Sequence, residues 1–155
     1  MRYTRPARIT IASLATVGAA TATFAAAGTA TALVPDYPAT IEMTITNNTA
    51  YTMFLDSDYN AFGDWIVAPP KQLAPGATET VSASTWNRGG FDFEVTYGMS
   101  EDTSATFVAN NYGGRTDTDG TRVDGTNPLH WNIFSSVDQG SPNMIASYTI
   151  LPPLR

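Results

Sequence analysis

The feature that most constrains the fold of this chain is an alternation of apolar and polar residues, repeated in short segments between turn residues. Residues 40–46 and 91–97 alternate almost without interruption, as is typical of strands with one buried face. Further strands are predicted at residues 51–55, 65–67, 79–84, 105–109, 129–134 and 145–151. About seven or eight short strands without a helical period predict an all-β fold, an antiparallel sandwich or barrel.

The N-terminal segment has the composition of a secretory signal peptide. Arg2, Arg5 and Arg8 precede an uncharged run from Ile9, and Ala30-Thr31-Ala32 supplies small residues for the peptidase. We therefore predict a Sec-type signal peptide over residues 1–32, cleavage after Ala32, and a secreted, extracellular domain over residues 33–155. A membrane-spanning segment is the weaker reading, because Thr and Gly dilute the apolar run.

The charge and cysteine content exclude several kinds of function. Loss of three arginines with the signal peptide lowers the net charge from −6 to −9 over the remaining 123 residues. Such an acidic domain has no basic surface for nucleic acid, and simple electrostatic adsorption to anionic lipid is equally disfavoured. The chain contains no cysteine, so disulfides, thiol nucleophiles and Cys-based zinc sites are excluded.

Candidates for catalysis are few. His130 is the only histidine, and no Gly-x-Ser-x-Gly elbow accompanies it. Asp92 and Glu94 share one face of a predicted strand about 7 Å apart, a spacing some glycosidases use. Asp92 and Glu94 alternate along the strand with apolar residues that are expected to face the core. The two carboxylates are therefore most simply on the solvent side. We expect a protein that is not an enzyme and needs no cofactor.

Two acidic segments have oxygen ligands that a hard cation such as calcium prefers. Asp56-Ser57-Asp58-Tyr59-Asn60 begins like a calcium loop, but Ala61 stands where the sharp turn requires Gly. The segment Asp117-Thr118-Asp119-Gly120 is similarly incomplete. Both segments are most simply solvated turns, and the expectation is no metal site.

Aromatic residues near Gly, Asn and Asp are the strongest functional signal. Aromatic side chains in loops suit a lipid interface or the face of a sugar, because a ring has an apolar body and, in Tyr and Trp, a polar edge. Tyr112-Gly113-Gly114-Arg115 adds a cation to such a loop, predicted over residues 110–118. The residues of this kind are Tyr59, Phe62, Trp65, Trp86 and Tyr112.

Four segments occur in an order that resembles a known family. A first strand ends at Asn47-Asn48-Thr49, and Asn60-Ala61-Phe62-Gly63-Asp64 is similar to a family segment with a small residue, Trp, Gly and Lys. Phe91-Asp92-Phe93 is similar to the family's Gly-x-Phe-Asp-Leu, and residues 112–118 to its loop Pro-Trp-Gly-Ser-Lys-Thr-Asn. Over most of residues 33–155 the chain resembles the aegerolysins, which include bacterial crystal-protein homologues.

The resemblance implies a β-sandwich similar to those of actinoporins and aegerolysins, and a non-enzymatic role in binding a membrane sphingolipid headgroup. It also implies a perforin-like pore-forming partner in a two-component toxin. By position, Tyr112 would replace the family's membrane Trp, Arg115 the Lys that meets phosphate, and Phe62 a second membrane Trp. The predicted lipid-binding residues are Phe62, Trp65, Tyr112 and Arg115. Asp64 replaces a family Lys, and residues 86–90 have no clear counterpart of its acidic headgroup-selecting residue.

A second hypothesis belongs to another class of function. Trp65, Trp86 and Tyr59 are also suited to stacking on sugar rings, and many secreted β-sandwiches bind glycans. A carbohydrate-binding or cell-envelope-binding module is therefore the alternative.

Overall fold

The computed structural model describes residues 39–99, 102–126, 128 and 131–152. The predicted signal peptide, its cleavage site and His130 lie outside these residues. The described part of the chain forms eleven β-strands: β1 (Ala39–Asn47), β2 (Met53–Tyr59), β3 (Asp64–Val67), β4 (Gln72–Leu73), β5 (Thr78–Thr85), β6 (Gly90–Gly98), β7 (Thr103–Tyr112), β8 (Arg115–Asp117), β9 (Arg122–Gly125), β10 (Asn132–Gln139) and β11 (Asn143–Leu151).

The strands form two sheets that pack face to face. One sheet has the order β10-β11-β1-β5-β3, and the other has the order β4-β2-β6-β7-β8, with β9 also paired to β7. The predicted β-sandwich is confirmed. Its pairing is antiparallel except between β1 and β11, which run parallel from Thr40 opposite Asn143 to Asn47 opposite Ile150.

The core lies between the inward faces of the two sheets. β1 contributes Ile41, Met43 and Ile45, while β6 contributes Phe91, Phe93, Val95 and Tyr97, all at most 1% exposed. Except for the buried Thr40, their polar neighbours along the strands are more exposed on the outer faces, as period two requires. Aromatic contacts cross the core, including the edge-to-face pair of Phe107 and Tyr148 at 5.7 Å between ring centroids.

Several strand boundaries differ from the predictions. β2 continues through Asp56 to Tyr59, so all but the last residue of the segment 56–60, predicted as a solvated turn, is strand, with a bulge between Leu55 and Ser57. β7 continues to Tyr112, beyond the predicted end at Ala109. The added residues of β2 and β7 are mostly polar, which disfavours a strand by residue type. They are strand because their backbone groups pair with neighbouring strands.

The buried side-chain amide of Asn111 links the two sheets at the end of the sandwich where β7 ends. The Nδ2 atom of Asn111 donates to the carbonyl oxygens of Thr40, at 2.9 Å, and Pro142, at 2.8 Å. These bonds link the second sheet to the start of β1 and to the turn before β11. Asn111 therefore gives the residues beside it a rigid base. In the described part of the chain, no helix has the length and apolar character needed to cross a membrane.

Candidate functional site

The segment predicted as a loop over residues 110–118 is a tight β-hairpin. Tyr112 at the end of β7 pairs with Arg115 at the start of β8, leaving a two-residue turn. Gly113 and Gly114 in that turn have φ values of +52° and +91°. Two successive positive φ values match the right-handed twist of a hairpin, and glycine adopts them at low cost.

Tyr112 lies on the outer face of the second sheet. Its side chain is 42% exposed, and its hydroxyl donates to the Asp92 carboxylate on the neighbouring strand β6. Partial burial, this hydrogen bond, and electrostatic interaction with Asp92 and Tyr59 raise the pKa of Tyr112 to about 12. The ring is thus tethered at its hydroxyl and remains accessible on its apolar body.

Arg115 is paired with two carboxylates. Its Nε donates to Asp117 Oδ2 at 2.8 Å and its Nη2 lies 3.3 Å from Asp119 Oδ2, with the Arg115 side chain 76% exposed. Burial raises the pKa of the Asp117 carboxyl, but hydrogen bonds from Asn110, the Asp119 N–H and Arg115, with the Arg115 charge, hold that pKa below its ordinary value. A shallow pocket of about 330 Å³ lies here, lined by Asn110, Tyr112, Arg115, Asp117 and Asp119.

Phe62 and Trp86 lie on two neighbouring loops. Phe62 is 60% exposed, and its carbonyl accepts a hydrogen bond from the Thr85 hydroxyl, one residue before Trp86. Trp86 is 70% exposed and follows the last residue of β5. Because Asp64 pairs with Ser84, the β2–β3 and β5–β6 loops emerge side by side.

These loops and the hairpin belong to the same end of the sandwich. The Gly90 N–H donates to the Asn87 carbonyl at 3.0 Å, and Gly90 pairs with Tyr112. The structure therefore brings the predicted residues Phe62, Trp86, Tyr112 and Arg115 to one end. We call the exposed surface of these four residues the aromatic end.

The other two predicted residues occupy different surroundings. Tyr59 is 54% exposed at the end of β2, on the outer face shared with Tyr112. Trp65 packs edge-to-face on Phe93 at 4.9 Å between ring centroids and is partly buried against the core. Trp65 thus packs the start of β3, next to the β2–β3 loop, against the core. Tyr59 extends the exposed aromatic surface along the outer face of the second sheet.

The acidic segments have other roles in the described structure. Asp56, Ser57 and Asp58 belong to β2, and Asp117 and Asp119 both face Arg115. In the ranges that the structure describes, no three His, Cys, Asp or Glu side chains are grouped so that they could hold a metal ion.

Sequence reasoning missed the roles of Asp92 and Asn110. The alternating pattern predicts Asp92 only as a carboxylate on the solvent side of a strand, and Asn110 only as part of a loop. Their hydrogen bonds, from Tyr112 to Asp92 and from Asn110 to Asp117 and Asp119, depend on the β6–β7 register, which places Asp92 directly opposite Asn110. The only available signal was the position of Asp92 in the Phe91-Asp92-Phe93 segment.

The described residues define a protein class by their geometry: a two-sheet β-sandwich with exposed aromatic side chains on adjacent loops at one end. No protein-family model matches the sequence, and no curated protein matches it significantly. Among solved structures, the fold is similar to that of the lipid binding protein Nakanori, with a TM-score of 0.58, 8% identity, and coverage of 72% of this chain and 70% of that one. It is also similar to IP-1A from Alcaligenes faecalis, with a TM-score of 0.55, 12% identity, and coverage of 75% and 92%. At these identities the likeness establishes the shared fold.

Proposed function

We propose that this protein is a secreted, non-enzymatic, aegerolysin-like module that binds membrane lipid through its aromatic end. The observation that carries the proposal is the placement of three exposed rings at one end of the sandwich: Phe62 and Trp86 on adjacent loops, and Tyr112 at the end of β7, where it pairs with Arg115. The fold shared with a protein described as lipid binding is consistent with this role.

The aromatic end has the chemistry of a membrane-interface contact. Aromatic side chains prefer the headgroup region, where the ring contacts acyl chains and a polar edge remains hydrated. The Tyr112 hydroxyl already has a partner in Asp92, so its ring can be covered by lipid without stripping an unpaired hydroxyl of water. Insertion of three rings from short, anchored loops requires little ordering of the backbone.

The hairpin pocket suits a headgroup that carries both a phosphate and a positively charged nitrogen. The Arg115–Asp119 contact is exposed on both sides, at 76% and 79% of the side chains, so it is weak enough to exchange for a phosphate oxygen. The released Asp119 carboxylate would then face the cationic nitrogen. Sphingomyelin and ceramide phosphoethanolamine have this headgroup chemistry, and because the family resemblance favours a sphingolipid, we propose such a sphingolipid as the ligand.

We further propose that binding recruits a perforin-like pore-forming partner, so that the protein acts as the recognition component of a two-component toxin. The family resemblance of the sequence supports this step. Mixing the protein with candidate pore-forming proteins and measuring dye release from sphingolipid vesicles would test it. Release that needs both components is expected, and release by either alone would contradict the division of roles.

Secretion is part of the proposal and is tested separately. Expression of the whole chain in a bacterial host should yield an exported protein that begins at Leu33, as determined by its intact mass. A product retained in the cell with residues 1–32 attached would contradict the proposed signal peptide.

Co-sedimentation with vesicles is the direct test of lipid binding. Residues 33–155 are expected to pellet with vesicles containing sphingomyelin or ceramide phosphoethanolamine, and not with vesicles lacking both. Tyr112→Ala and Arg115→Ala should each weaken binding about tenfold, equivalent to roughly 1.4 kcal/mol. If both variants bind as the unmodified protein does, the proposed site is wrong.

The chain supplies matched controls for these variants. Arg122 is an exposed arginine on β9 whose Nε donates to Asp124 at 2.6 Å, away from the aromatic end. Phe54 is an exposed aromatic on β2, 57% accessible, near the opposite end of the sandwich. Arg122→Ala and Phe54→Ala should leave vesicle binding unchanged.

A carbohydrate-binding or cell-envelope-binding module is the alternative proposal. Trp86 and Tyr59 are exposed as sugar-stacking residues must be, although Trp65 is packed against Phe93. Pull-down by insoluble chitin, cellulose or peptidoglycan, without pelleting on any vesicle, would favour this function over lipid binding.

A further inference from the structure

Tyr112 and Arg115 are each restrained by a side chain beneath them on the sheet. The Tyr112 hydroxyl donates to Asp92 Oδ1. The residue directly opposite Tyr112 is Gly90, so no β6 side chain stands between the Tyr112 ring and Asp92. A Cβ at Gly90 would overlap the Asn111 carbonyl oxygen. The pairing of β6 with β7 therefore requires glycine at this position and leaves the space between Tyr112 and Asp92 free of a side chain.

Arg115 is restrained by two hydrogen bonds in series, from Asn110 to Asp117 and from Arg115 to Asp117. Asn110 Nδ2 donates to Asp117 Oδ1 at 2.7 Å and to the Asp119 carbonyl oxygen at 3.0 Å. The other oxygen of Asp117 accepts from Arg115 Nε at 2.8 Å. The Asn110 amide therefore holds Asp117 in the orientation in which it fixes the plane of the guanidinium.

Asp92 and Asn110 are directly opposite each other on β6 and β7. We propose that this cross-strand pair is the positioning element of the lipid-binding site, with Asp92 orienting the Tyr112 ring and Asn110 orienting Arg115 through Asp117. The inference rests on the proposed function, because the two oriented residues are its ligand-contacting residues. Asp92 and Asn110 themselves need not touch the lipid.

The physical reason is preorganisation. Long or aromatic side chains lose rotamer freedom when a ligand immobilises them, and affinity falls by that cost unless the free protein already holds the binding geometry. A Tyr ring and an Arg fork on the rim of a hairpin are otherwise free to rotate. Two hydrogen bonds from rigid strand positions remove that freedom before the lipid arrives.

Double-mutant cycles on vesicle binding test the proposal. Asp92→Ala should weaken sphingolipid-vesicle binding by about three- to tenfold, while Asp92→Asn, which keeps an acceptor oxygen, should bind nearly as the unmodified protein does. In the Tyr112→Ala background, Asp92→Ala should have no further effect, because its only role is lost. Asn110→Ala should likewise weaken vesicle binding in the unmodified protein and have no further effect in the Arg115→Ala background.

Control variants separate positioning from general effects of charge or folding. Glu94 lies on the same outer face, two residues from Asp92, and pairs with Val108. Glu94→Ala should leave binding unchanged, and all variants should retain the thermal unfolding midpoint within a few degrees. Equal losses in Asp92→Ala and Glu94→Ala, or additive losses in Asp92→Ala/Tyr112→Ala, would overturn the proposal.

A measurement without lipid distinguishes failure of this inference from failure of the proposed function. NMR of ring-labelled tyrosine, assigned with Tyr112→Phe, should show Tyr112 largely protonated at pH about 11, and Asp92→Ala should lower its pKa. An unchanged Tyr112 signal in Asp92→Ala would overturn the positioning of Tyr112. If the unmodified protein pellets with no vesicle while this signal shifts, the proposed function fails and the side-chain restraint stands.

Discussion

At the scale of single residues, Asn47 holds together the end of the sandwich opposite the aromatic end. Its Nδ2 donates to the carbonyl oxygens of Tyr51, Leu73 and Ala74 at 2.8–3.1 Å, and its Oδ1 accepts from the Thr49 hydroxyl at 2.7 Å. We expect Asn47→Ala to lower the free energy of unfolding by about 3 kcal/mol, because several buried groups lose their partner at once. Urea denaturation of residues 33–155 measures this.

The neighbouring asparagine is the control for that prediction. Asn48 is exposed, and its backbone N–H, rather than its side chain, donates to Ile150. Asn48→Ala should change the free energy of unfolding by less than about 0.5 kcal/mol. Similar losses in the two variants would show that the buried amide network of Asn47 contributes little.

Asp117 makes the stability of the site dependent on pH. Its pKa in the folded protein lies below the ordinary value of 3.8, so its contribution is present above that value and is lost as the pH falls through the lowered pKa. Thermal unfolding midpoints of the unmodified protein and Asp117→Asn should therefore differ at neutral pH and converge in acid. A difference that stays constant across this range would contradict the assignment.

At the scale of elements, two glycines have nearly equal φ but different surroundings. Replacing each by Ala therefore distinguishes the cost of backbone strain from the cost of steric overlap. Gly114, at +91°, has open space around the position of a Cβ, while at Gly90, at +90°, a Cβ would overlap the backbone of β7. Gly114→Ala should cost about 1 kcal/mol, and Gly90→Ala more than about 3 kcal/mol because β6 and β7 must separate. Denaturation midpoints and soluble yield give the comparison, and equal costs would contradict it.

Most of the long strands could be predicted from the sequence, whereas the two shortest strands and the register could not. β1, β6 and β11 show period two over most of their nine residues. β4 and β8 have two and three residues, too few to show any period, and exist because an edge strand offers unpaired backbone groups. The parallel pairing of β1 with β11 was equally inaccessible, because alternation is the same in either strand direction.

At the scale of the whole molecule, the net charge predicts which membranes the protein avoids. Residues 33–155 carry −9, and carboxylates surround Arg115 at the aromatic end. Adding phosphatidylserine to sphingolipid vesicles should therefore weaken binding at low salt, and high salt should largely restore it by screening the repulsion. Co-sedimentation across a salt series measures this effect, and binding that rises with the anionic lipid content would contradict it.

The predicted site residues illustrate what residue type and neighbours can reveal. Aromatic residues among Gly, Asn and Asp predict exposure, because burying a loop would leave its backbone groups unpaired, and Phe62, Trp86 and Tyr112 are all exposed. Trp65 met the same criterion, yet it packs on Phe93. Proximity to a turn does not specify which face of a short strand a side chain occupies, since that depends on the partner strand.

The alternating pattern, the turn residues and the absence of cysteine were sufficient to define an all-β fold, a sandwich or a barrel, stabilised by its core, because period two and backbone preference are local properties of the chain. The assembly of the aromatic end was decided only by tertiary structure. Phe62, Trp86 and Tyr112 come together, and Asp92 meets Tyr112, through the pairing of β3 with β5 and the register of the β6–β7 hairpin. Such pairings are selected by packing of the whole core, and no local pattern encodes them.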